Sequence, residues 1–449
     1  MFFISLLVGC KVSMEKVEKW KKNSDTARLK KCLADKEQSE EVRVAAGLAL
    51  FELGRYYGVE VKLREVKERS EEEARKLAGL MQKKLSADLK GTGEKAVQAK
   101  DGLFSLWEFV PQKQQSELEE KIVTWLLENW ISVSNSGEHS AKKIFEKWGE
   151  RAGKVLTDKL TLQHDNLYDV STLVADIATK EDKEKLVKKF AAKLDKNPAL
   201  MSRADRLHSI GKLCSKTSLS FLQRLALKGF NFAIRRNAMI GLRLCPDVSS
   251  VDAMIKTLQE LQEKTLKDEV VNLPKFKDKK PGLIHQAFEV LDAVKNWKAT
   301  KPGLTKILSL TSDKKLSEKN KRRKLLIRTK VGQYLVFIGG IEGLQVLLQN
   351  LPDDEYPGGY ILALRDAVKQ VFSKKKRQEA LEVLRKAIKE ANWVGKITAL
   401  ETLAVMGEKE KDGETLKALS SDETELKGWG AKGVTMGERA AIGFKRLNK

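Results

Sequence analysis

The chain is poor in the residues that cross-link or interrupt a fold. Its 449 residues include 4 cysteines, 8 prolines and 4 histidines, and aromatic residues make up 6% of it. We find no alternating strand pattern and no Asn-Gly hairpin, which are the usual signals of a β-sheet. Lys, Glu, Leu and Ala are abundant instead, and these residues favour helix. The sequence therefore predicts an all-α fold.

Cysteine and histidine are too sparse and too scattered to indicate a metal or redox site. There is no Cys-x-x-Cys pair and no zinc-type spacing, and the histidines stand far apart at positions 139, 164, 208 and 285. We expect Cys32, Cys214 and Cys245 to be small buried hydrophobic residues. A disulfide between Cys214 and Cys245 stays open, because each follows an apolar helix at a similar place in successive repeats.

Motifs of common catalytic and cofactor sites are also missing. The chain contains no Gly-x-Ser-x-Gly elbow, no phosphate loop with Gly-Lys-Ser/Thr and no Gly-x-Gly-x-x-Gly motif after a strand. We therefore predict a protein that is not an enzyme and that holds no cofactor and no metal.

Long hydrophobic runs are absent from the body of the chain. A membrane-spanning helix needs about 20 apolar residues, and we expect none, so the body is predicted to be soluble. The first ten residues differ, because they are uncharged and largely apolar and end at Cys10, with Lys11 immediately after. Membrane attachment is expected at Cys10 alone.

The segment Leu7-Val8-Gly9-Cys10 resembles the lipobox of bacterial lipoproteins. The resemblance implies that the Cys10 thiol receives a diacylglycerol, that residues 1–9 are removed as a signal peptide, and that residues 10–24 form a tether. Secretory signals normally begin with a basic region, and no basic residue precedes Cys10. Two explanations stay open: the reading frame extends upstream of Met1, or translation starts at Met14.

A short phrase recurs along the chain at helical spacing. It begins with an apolar and a basic residue and ends near a glycine suited to a helix C-terminus, as in Val42, Arg43, Ala46, Leu50 and Gly54. Copies lie over residues 42–54, 234–242, 327–339, 396–407 and 426–437. A second apolar helix follows the phrase, so the sequence predicts a series of helix pairs.

These pairs resemble HEAT repeats. The resemblance implies a right-handed α-α superhelix, a HEAT-like solenoid, in which the basic residue of the phrase pairs with a carboxylate of a neighbouring turn, such as Asp35 or Asp422. We predict a divergent N-terminal array over residues 25–220 and a clearer C-terminal array over residues 221–449. The predicted core residues are Leu50, Leu53, Ile240, Leu335, Ile338, Leu347 and Leu403.

The formal net charge of +23 is concentrated in bands. Residues 201–250 contain nine basic and two acidic residues, and residues 301–350 contain eleven basic and three acidic residues. Such bands indicate an acidic partner, although lysine-rich helix faces also keep proteins in solution. We predict partner contacts at Arg235, Arg236, Arg243, Lys321, Arg322, Arg323 and Lys324.

Four tryptophans, at positions 107, 125, 130 and 148, lie in the less regular N-terminal array. Aromatic residues spaced along amphipathic helices are usually core residues, so we predict that they pack inside. Trp125 and Trp130 are the next place to seek a ligand if the basic bands bind none.

These features predict a non-catalytic, lipid-anchored HEAT-repeat scaffold of the bacterial cell envelope. Acyl chains on Cys10 hold it to the membrane, and in a Gram-negative cell Lys11 favours the outer membrane, facing the periplasm. The partner is a protein or another anionic envelope component. The alternative is a cytoplasmic basic HEAT-repeat protein, starting at Met14, that binds DNA or RNA, with repair as one such role. A third interpretation is an adaptor that docks an enzyme, similar to the HEAT-repeat lyase subunits of phycobilisome assembly.

Overall fold

The computed structural model describes residues 11–91, 93–130, 140–263, 282–309, 318–353, 355–429 and 433–448. Nearly all of these residues are helical. Within these ranges, β-structure is limited to an isolated antiparallel bridge between Glu425 and Thr435. The predicted all-α fold is confirmed.

The chain divides into two compact units, Met1–Ala192 and Lys193–Lys449. A short 3-10 helix, Trp107–Phe109, lies in the N-terminal unit. The α-helices that begin in this unit are α1 Met14–Lys22, α2 Thr26–Ala34, α3 Glu40–Glu52, α4 Tyr56–Arg69, α5 Glu71–Asp88, α6 Glu94–Leu106, α7 Gln112–Glu128, α8 Ala141–Trp148, α9 Glu150–Lys159, α10 Leu167–Ile177 and α11 Lys180–Lys196.

The first helices of the N-terminal unit stack in two alternating series. Helix α2 packs against α4 and α4 against α6, while α1 packs against α3 and α3 against α5. Each helix pair therefore buries its apolar side against the next pair, which is how helical-repeat proteins build a core.

The C-terminal unit repeats this arrangement. Helices α12, α14 and α16 form one series and α13, α15 and α17 the other, while nearer the C-terminus α19 packs against α21 and α21 against α23. The predicted helical-repeat character is present in both units. Two 3-10 helices, Pro198–Ser202 and Leu419–Ser421, lie in this unit. The α-helices that begin in it are α12 Ala204–Leu213, α13 Lys216–Lys228, α14 Phe232–Leu244, α15 Ser250–Glu263, α16 Leu283–Val294, α17 Trp297–Ser309, α18 Glu318–Asn350, α19 Gly358–Phe372, α20 Arg377–Glu390, α21 Trp393–Met406, α22 Lys409–Ala418 and α23 Met436–Leu447.

Capping side chains explain where the repeated helices begin. Ser39, Asn231 and Asn392 accept hydrogen bonds from backbone N–H groups in the first turns of α3, α14 and α21. A cap of this kind stabilises a helix by about 1 kcal/mol.

Helix α18 kinks at Gly340, whose φ of 55° lies in the left-handed region that glycine adopts readily. The kink separates the phrase at residues 327–339 from the apolar helix predicted behind it.

The helix predicted for the fifth copy of the phrase, residues 426–437, is wrong for its described residues before Met436. Gly428 and Gly433 have φ of 85° and 87°, which ends helical geometry at both positions. Helix α23 begins only at Met436, where Thr435 and Glu438 form a capping box.

Two predicted boundaries differ from the structure. The predicted tether, residues 10–24, contains α1, whose Val17 is buried. The predicted end of the N-terminal array at residue 220 falls inside α13, whereas the sequence boundary between the two compact units lies after Ala192.

Four of the predicted core residues, Leu50, Leu335, Leu347 and Leu403, are fully buried, and Leu53, Ile240 and Ile338 are half-buried.

No helix long enough to span a membrane was expected in the body of the chain, but Lys321–Asn350 is long and apolar enough to cross one. Inside the protein, 56% of its most apolar window is buried, and the kink at Gly340 divides the segment.

Candidate functional site

The predicted partner-binding residues on α14 are divided between interior and surface. Arg235 is 4% exposed, and its guanidinium donates to the carbonyl oxygen of Ala226 at 2.8 Å and to Glu260 at 2.9 Å. Arg236 is half-buried. Arg243 is exposed and pairs at 2.9 Å with Glu289 of α16. Arg235 is therefore an interior residue, whereas Arg243 is accessible to a partner.

Arg43, in the N-terminal unit, is the basic residue of its copy of the phrase, as Arg235 is in the C-terminal unit. It is buried, its Nε donates to the carbonyl oxygen of Leu33 at 2.9 Å, and its Nη1 pairs with Glu73. In both units the carbonyl belongs to the last turn of the preceding helix, where carbonyl groups lack helical partners. The basic residue of the phrase therefore joins three helices.

The resemblance predicted a turn carboxylate as the partner of this basic residue. For the fourth copy the pair exists, because Lys396 Nζ lies 4.0 Å from Asp422 Oδ2. Arg43 instead forms its ion pair with Glu73 of α5, while Asp35 accepts hydrogen bonds from Gln38 and from its own turn.

The predicted partner-binding residues on α18 are divided in the same way. Arg323 and Lys324 are buried, Lys321 is half-buried and Arg322 is exposed. Burial raises the pKa of the Tyr360 phenol, and the positive charge of Arg322 opposes this rise. Residues 310–317 of the same basic block lie outside the described residues.

A group of arginines that the sequence did not single out surrounds Glu401 of α21, which is 1% exposed. Glu401 Oε1 accepts hydrogen bonds from Arg439 Nε at 2.8 Å and Nη2 at 2.5 Å. Its Oε2 accepts from Arg446 Nη1 at 3.3 Å and lies 3.7 Å from Arg365 Nη1. We call Arg365, Glu401, Arg439 and Arg446 the Glu401 cluster.

Three helices of one series meet at the Glu401 cluster, because Arg365 lies on α19 and both Arg439 and Arg446 lie on α23. Arg365 also pairs with the exposed Asp366 at 2.7 Å. The guanidinium carbon of Arg439 lies 4.9 Å from the centre of the Trp429 ring. The seven-residue spacing of Arg439 and Arg446 was visible in the sequence, but their common carboxylate was not.

Cys214 and Cys245 form a disulfide with a Cα–Cα distance of 5.0 Å. The prediction of burial holds for Cys245 and is wrong for Cys214, which is exposed. The disulfide that the sequence left open is present, because the packing of α12 against α14 brings the ends of these helices together. Cys32 is free and buried, and burial raises the pKa of its thiol to about 11. Cys10, the predicted lipidation site, lies outside the described residues.

The prediction of packed tryptophans is confirmed for Trp125 and Trp148, which are buried. Trp125 Nε1 donates to the carbonyl oxygen of Gly91 at 2.9 Å. Trp130 is half-buried and stacks on Phe145 with ring centres 6.0 Å apart. Trp125 therefore has a structural place, and its indole N–H is already bonded.

Trp107 lies between charged side chains of α7, α8 and α9. Its Nε1 donates to the buried carboxylate of Glu119 at 2.9 Å, while Lys147 and Arg151 lie 5.4 Å and 5.1 Å from its ring centre. Burial raises the pKa of Glu119, and Arg151 and the Trp107 hydrogen bond oppose that rise. This arrangement joins the 3-10 helix to its neighbours.

Within the described ranges, no group of three or more His, Cys, Asp or Glu side chains is placed to hold a metal ion. His285 lies 3.5 Å from Glu289, and burial lowers the pKa of His208. His139 lies outside the described residues.

Comparison with known proteins gives only distant likenesses. No protein-family model matches the chain, and no curated protein is significantly similar to it. Among solved structures, the chain is similar to the TSC2 N-terminus, with 11% identity and a TM-score of 0.28 over 95% of this chain and 100% of that one. It is also similar to a circular tandem repeat protein, with 13% identity and a TM-score of 0.18 over 97% and 87%. The all-α fold class is defined by the helix packing within each unit.

Proposed function

We propose that this protein is a non-catalytic helical-repeat scaffold of the bacterial cell envelope, anchored through acyl chains on Cys10, that binds an acidic partner. The observation that carries the proposal is the Cys214–Cys245 disulfide. Disulfides form and persist in oxidising compartments outside the cytoplasm and are rare in cytosolic proteins. The disulfide therefore supports an envelope location over the cytoplasmic, nucleic-acid-binding alternative.

Surface cations of the C-terminal unit support the binding of an acidic partner. Arg243 and Arg322 are exposed, and they belong to the two most basic blocks of a chain with a net charge of +23. The pair between Arg243 and Glu289 is itself exposed, and such surface pairs contribute little stability. An acidic partner can therefore replace Glu289 at small loss. In this proposal the buried Arg235, Arg323 and Lys324 support the helices, and their exposed neighbours make the contact.

Labelling with palmitate tests the anchor. Wild-type protein should incorporate the label and fractionate with membranes, because the several chains of a mature lipoprotein hold firmly. Cys10→Ala should remain unlabelled and leave the membrane, whereas Cys32→Ala, a control that removes a different cysteine, should behave as wild type. An unmodified terminus at Met1 or Met14 in the native protein would contradict the anchor.

Alkylation of intact cells tests the compartment separately. Cys214 and Cys245 should resist alkylation until a reductant is added. Cys214 decides the test, because it is exposed whereas Cys245 is buried. If Cys214 is alkylated without reductant, the protein resides in a reducing compartment and the nucleic-acid-binding alternative is favoured.

Charge reversal tests the partner surface. The double variant Arg243→Glu, Arg322→Glu should bind anionic liposomes or lipopolysaccharide more weakly than wild type, and wild-type binding should weaken with salt. Lys113→Glu with Lys121→Glu, at exposed positions of α7 outside the basic blocks, is the matched control. If the double variant binds as tightly as wild type, Arg243 and Arg322 are surface residues that do not contact the acidic ligand.

A further inference from the structure

The Glu401 cluster carries more positive than negative charge. Three guanidinium groups face two carboxylates, those of Glu401 and Asp366. Arg439 makes both close contacts to Glu401, at 2.8 Å and 2.5 Å. Arg446 reaches the other oxygen at 3.3 Å, and the 3.7 Å from Arg365 is too long for a hydrogen bond. Arg365 Nε and Nη2 instead donate to Oδ1 of the exposed Asp366, at 2.8 Å and 2.7 Å. The Arg365 Nη1 and the Arg446 guanidinium are thus the groups that Glu401 holds least firmly.

The separation of these two guanidiniums suits a bridging oxyanion. Both Nη1 atoms lie near the same Glu401 oxygen, at 3.7 Å and 3.3 Å, so they are at most 7.0 Å apart. Oxygens of one anion, each about 2.8 Å from a nitrogen, span a gap of this size. A planar carboxylate pairs best with a single guanidinium fork. A tetrahedral phosphate presents oxygens in several directions and suits two forks from different helices.

Access and local environment favour binding. The Arg446 side chain is 42% exposed, while those of Arg365 and Arg439 are 18% and 14% exposed. An anion can therefore approach beside Arg446. It then meets guanidiniums in partly dehydrated surroundings, where charge-assisted hydrogen bonds are stronger than in water. Glu401 and the Trp429 ring keep Arg439 in place.

We propose that the Glu401 cluster binds a phosphate group, with Arg365 and Arg446 holding the anion and Glu401 and Arg439 positioning them. The phosphate belongs either to a soluble compound or to a lipid headgroup. This inference goes beyond the proposed scaffold function, because it assigns a ligand class to residues that are not among the predicted partner-binding residues. It depends neither on Cys10 nor on Arg243, so its failure would leave the scaffold proposal intact.

Binding by the full chain tests the site with two probes. These are inorganic phosphate, followed by calorimetry, and phosphatidylcholine vesicles with and without phosphatidylglycerol. Arg446→Gln should weaken binding about tenfold, because a hydrogen bond to a charged group is lost. Lys445→Gln removes the same charge from the adjacent, exposed position of α23 and is the matched control. It should weaken binding by less than about twofold.

Two further variants separate phosphate binding from a structural role. Arg365→Lys keeps the charge but loses the fork, and should also weaken binding. Glu401→Gln removes the negative charge beside the anion and should strengthen binding of the folded protein, although it loosens the cluster. If Glu401→Gln does not fold, Arg365→Lys and Arg446→Gln decide the question.

The probe that responds identifies the source of the phosphate. A response to inorganic phosphate alone points to a soluble phosphate compound, and one confined to phosphatidylglycerol vesicles points to a lipid headgroup. The proposal is overturned if neither probe binds wild type, or if Arg446→Gln and Lys445→Gln weaken binding equally.

Discussion

Loss of the Cys214–Cys245 disulfide should destabilise the C-terminal unit selectively. The cross-linked residues have a sequence separation of 31, and α13 and α14 lie between them. A cross-link restricts the unfolded chain by closing a loop, and for a loop of this length the chain-entropy treatment gives about 3–4 kcal/mol. In a unit of this size each kcal/mol shifts the melting temperature by about 2–4 °C, so we expect a fall of about 10 °C.

Calorimetric unfolding of Cys214→Ser measures this effect. Cys214 is exposed, so the substitution itself should add little beyond loss of the bond. Reductant should lower the melting temperature of the wild-type C-terminal unit to that of the variant and should leave the variant unchanged. Cys32→Ala is the control, because it removes a buried thiol of the N-terminal unit and keeps the disulfide.

Two results would refute this reasoning. One is a wild-type melting curve that does not respond to reductant. The other is mass spectrometry of protein purified under oxidising conditions that finds Cys32, Cys214 and Cys245 all as free thiols.

Three further predictions concern buried side chains. Arg235→Met should destabilise the C-terminal unit by about 2–3 kcal/mol, because Glu260 and a helix-end carbonyl lose their partner, whereas the exposed Arg243→Met should change its urea midpoint little. Leu335→Asp, at a fully buried position, should abolish helical circular dichroism of the neighbouring repeats, while Phe337→Asp, 46% exposed, should retain it. Burial raises the pKa of the Glu119 carboxyl above its ordinary value, so its ionisation with rising pH removes stability. The melting temperature of Glu119→Gln relative to that of wild type should therefore rise from acid to neutral pH, and a difference independent of pH would contradict the shift.

Helices and their pairing could be predicted from the sequence because their signals are local. Caps such as Ser39 and Asn392, and apolar residues at helical spacing, lie within one or two turns of the positions they affect. The fifth copy of the phrase shows the limit of this approach. Its residue spacing fits a helix, but Gly428 and Gly433 adopt positive φ, and a spacing pattern does not reveal that choice.

The disulfide and the Glu401 cluster could not be predicted with the same certainty, because they depend on which helices become neighbours. Arg365, Arg439 and Arg446 are 36, 38 and 45 residues from Glu401 and meet it only when α19, α21 and α23 pack side by side. The cysteine pair likewise requires the contact of α12 with α14. The sequence spacing of Cys214 and Cys245 is compatible with a disulfide but does not predict one.

Helix packing also places some of the basic residues in the interior, so the net charge of a segment does not equal the charge on its surface. Arg43 and Arg235 are the basic residues of the phrase, and each is buried against a carbonyl oxygen and a carboxylate. A basic block counted from sequence therefore mixes such interior residues with surface cations like Arg243 and Arg322. The surface cations are those that an acidic partner can contact, whereas the charges of Arg43 and Arg235 are offset by their paired carboxylates. In these two copies, position within the phrase, rather than the number of basic residues, indicates which arginine lies in the interior.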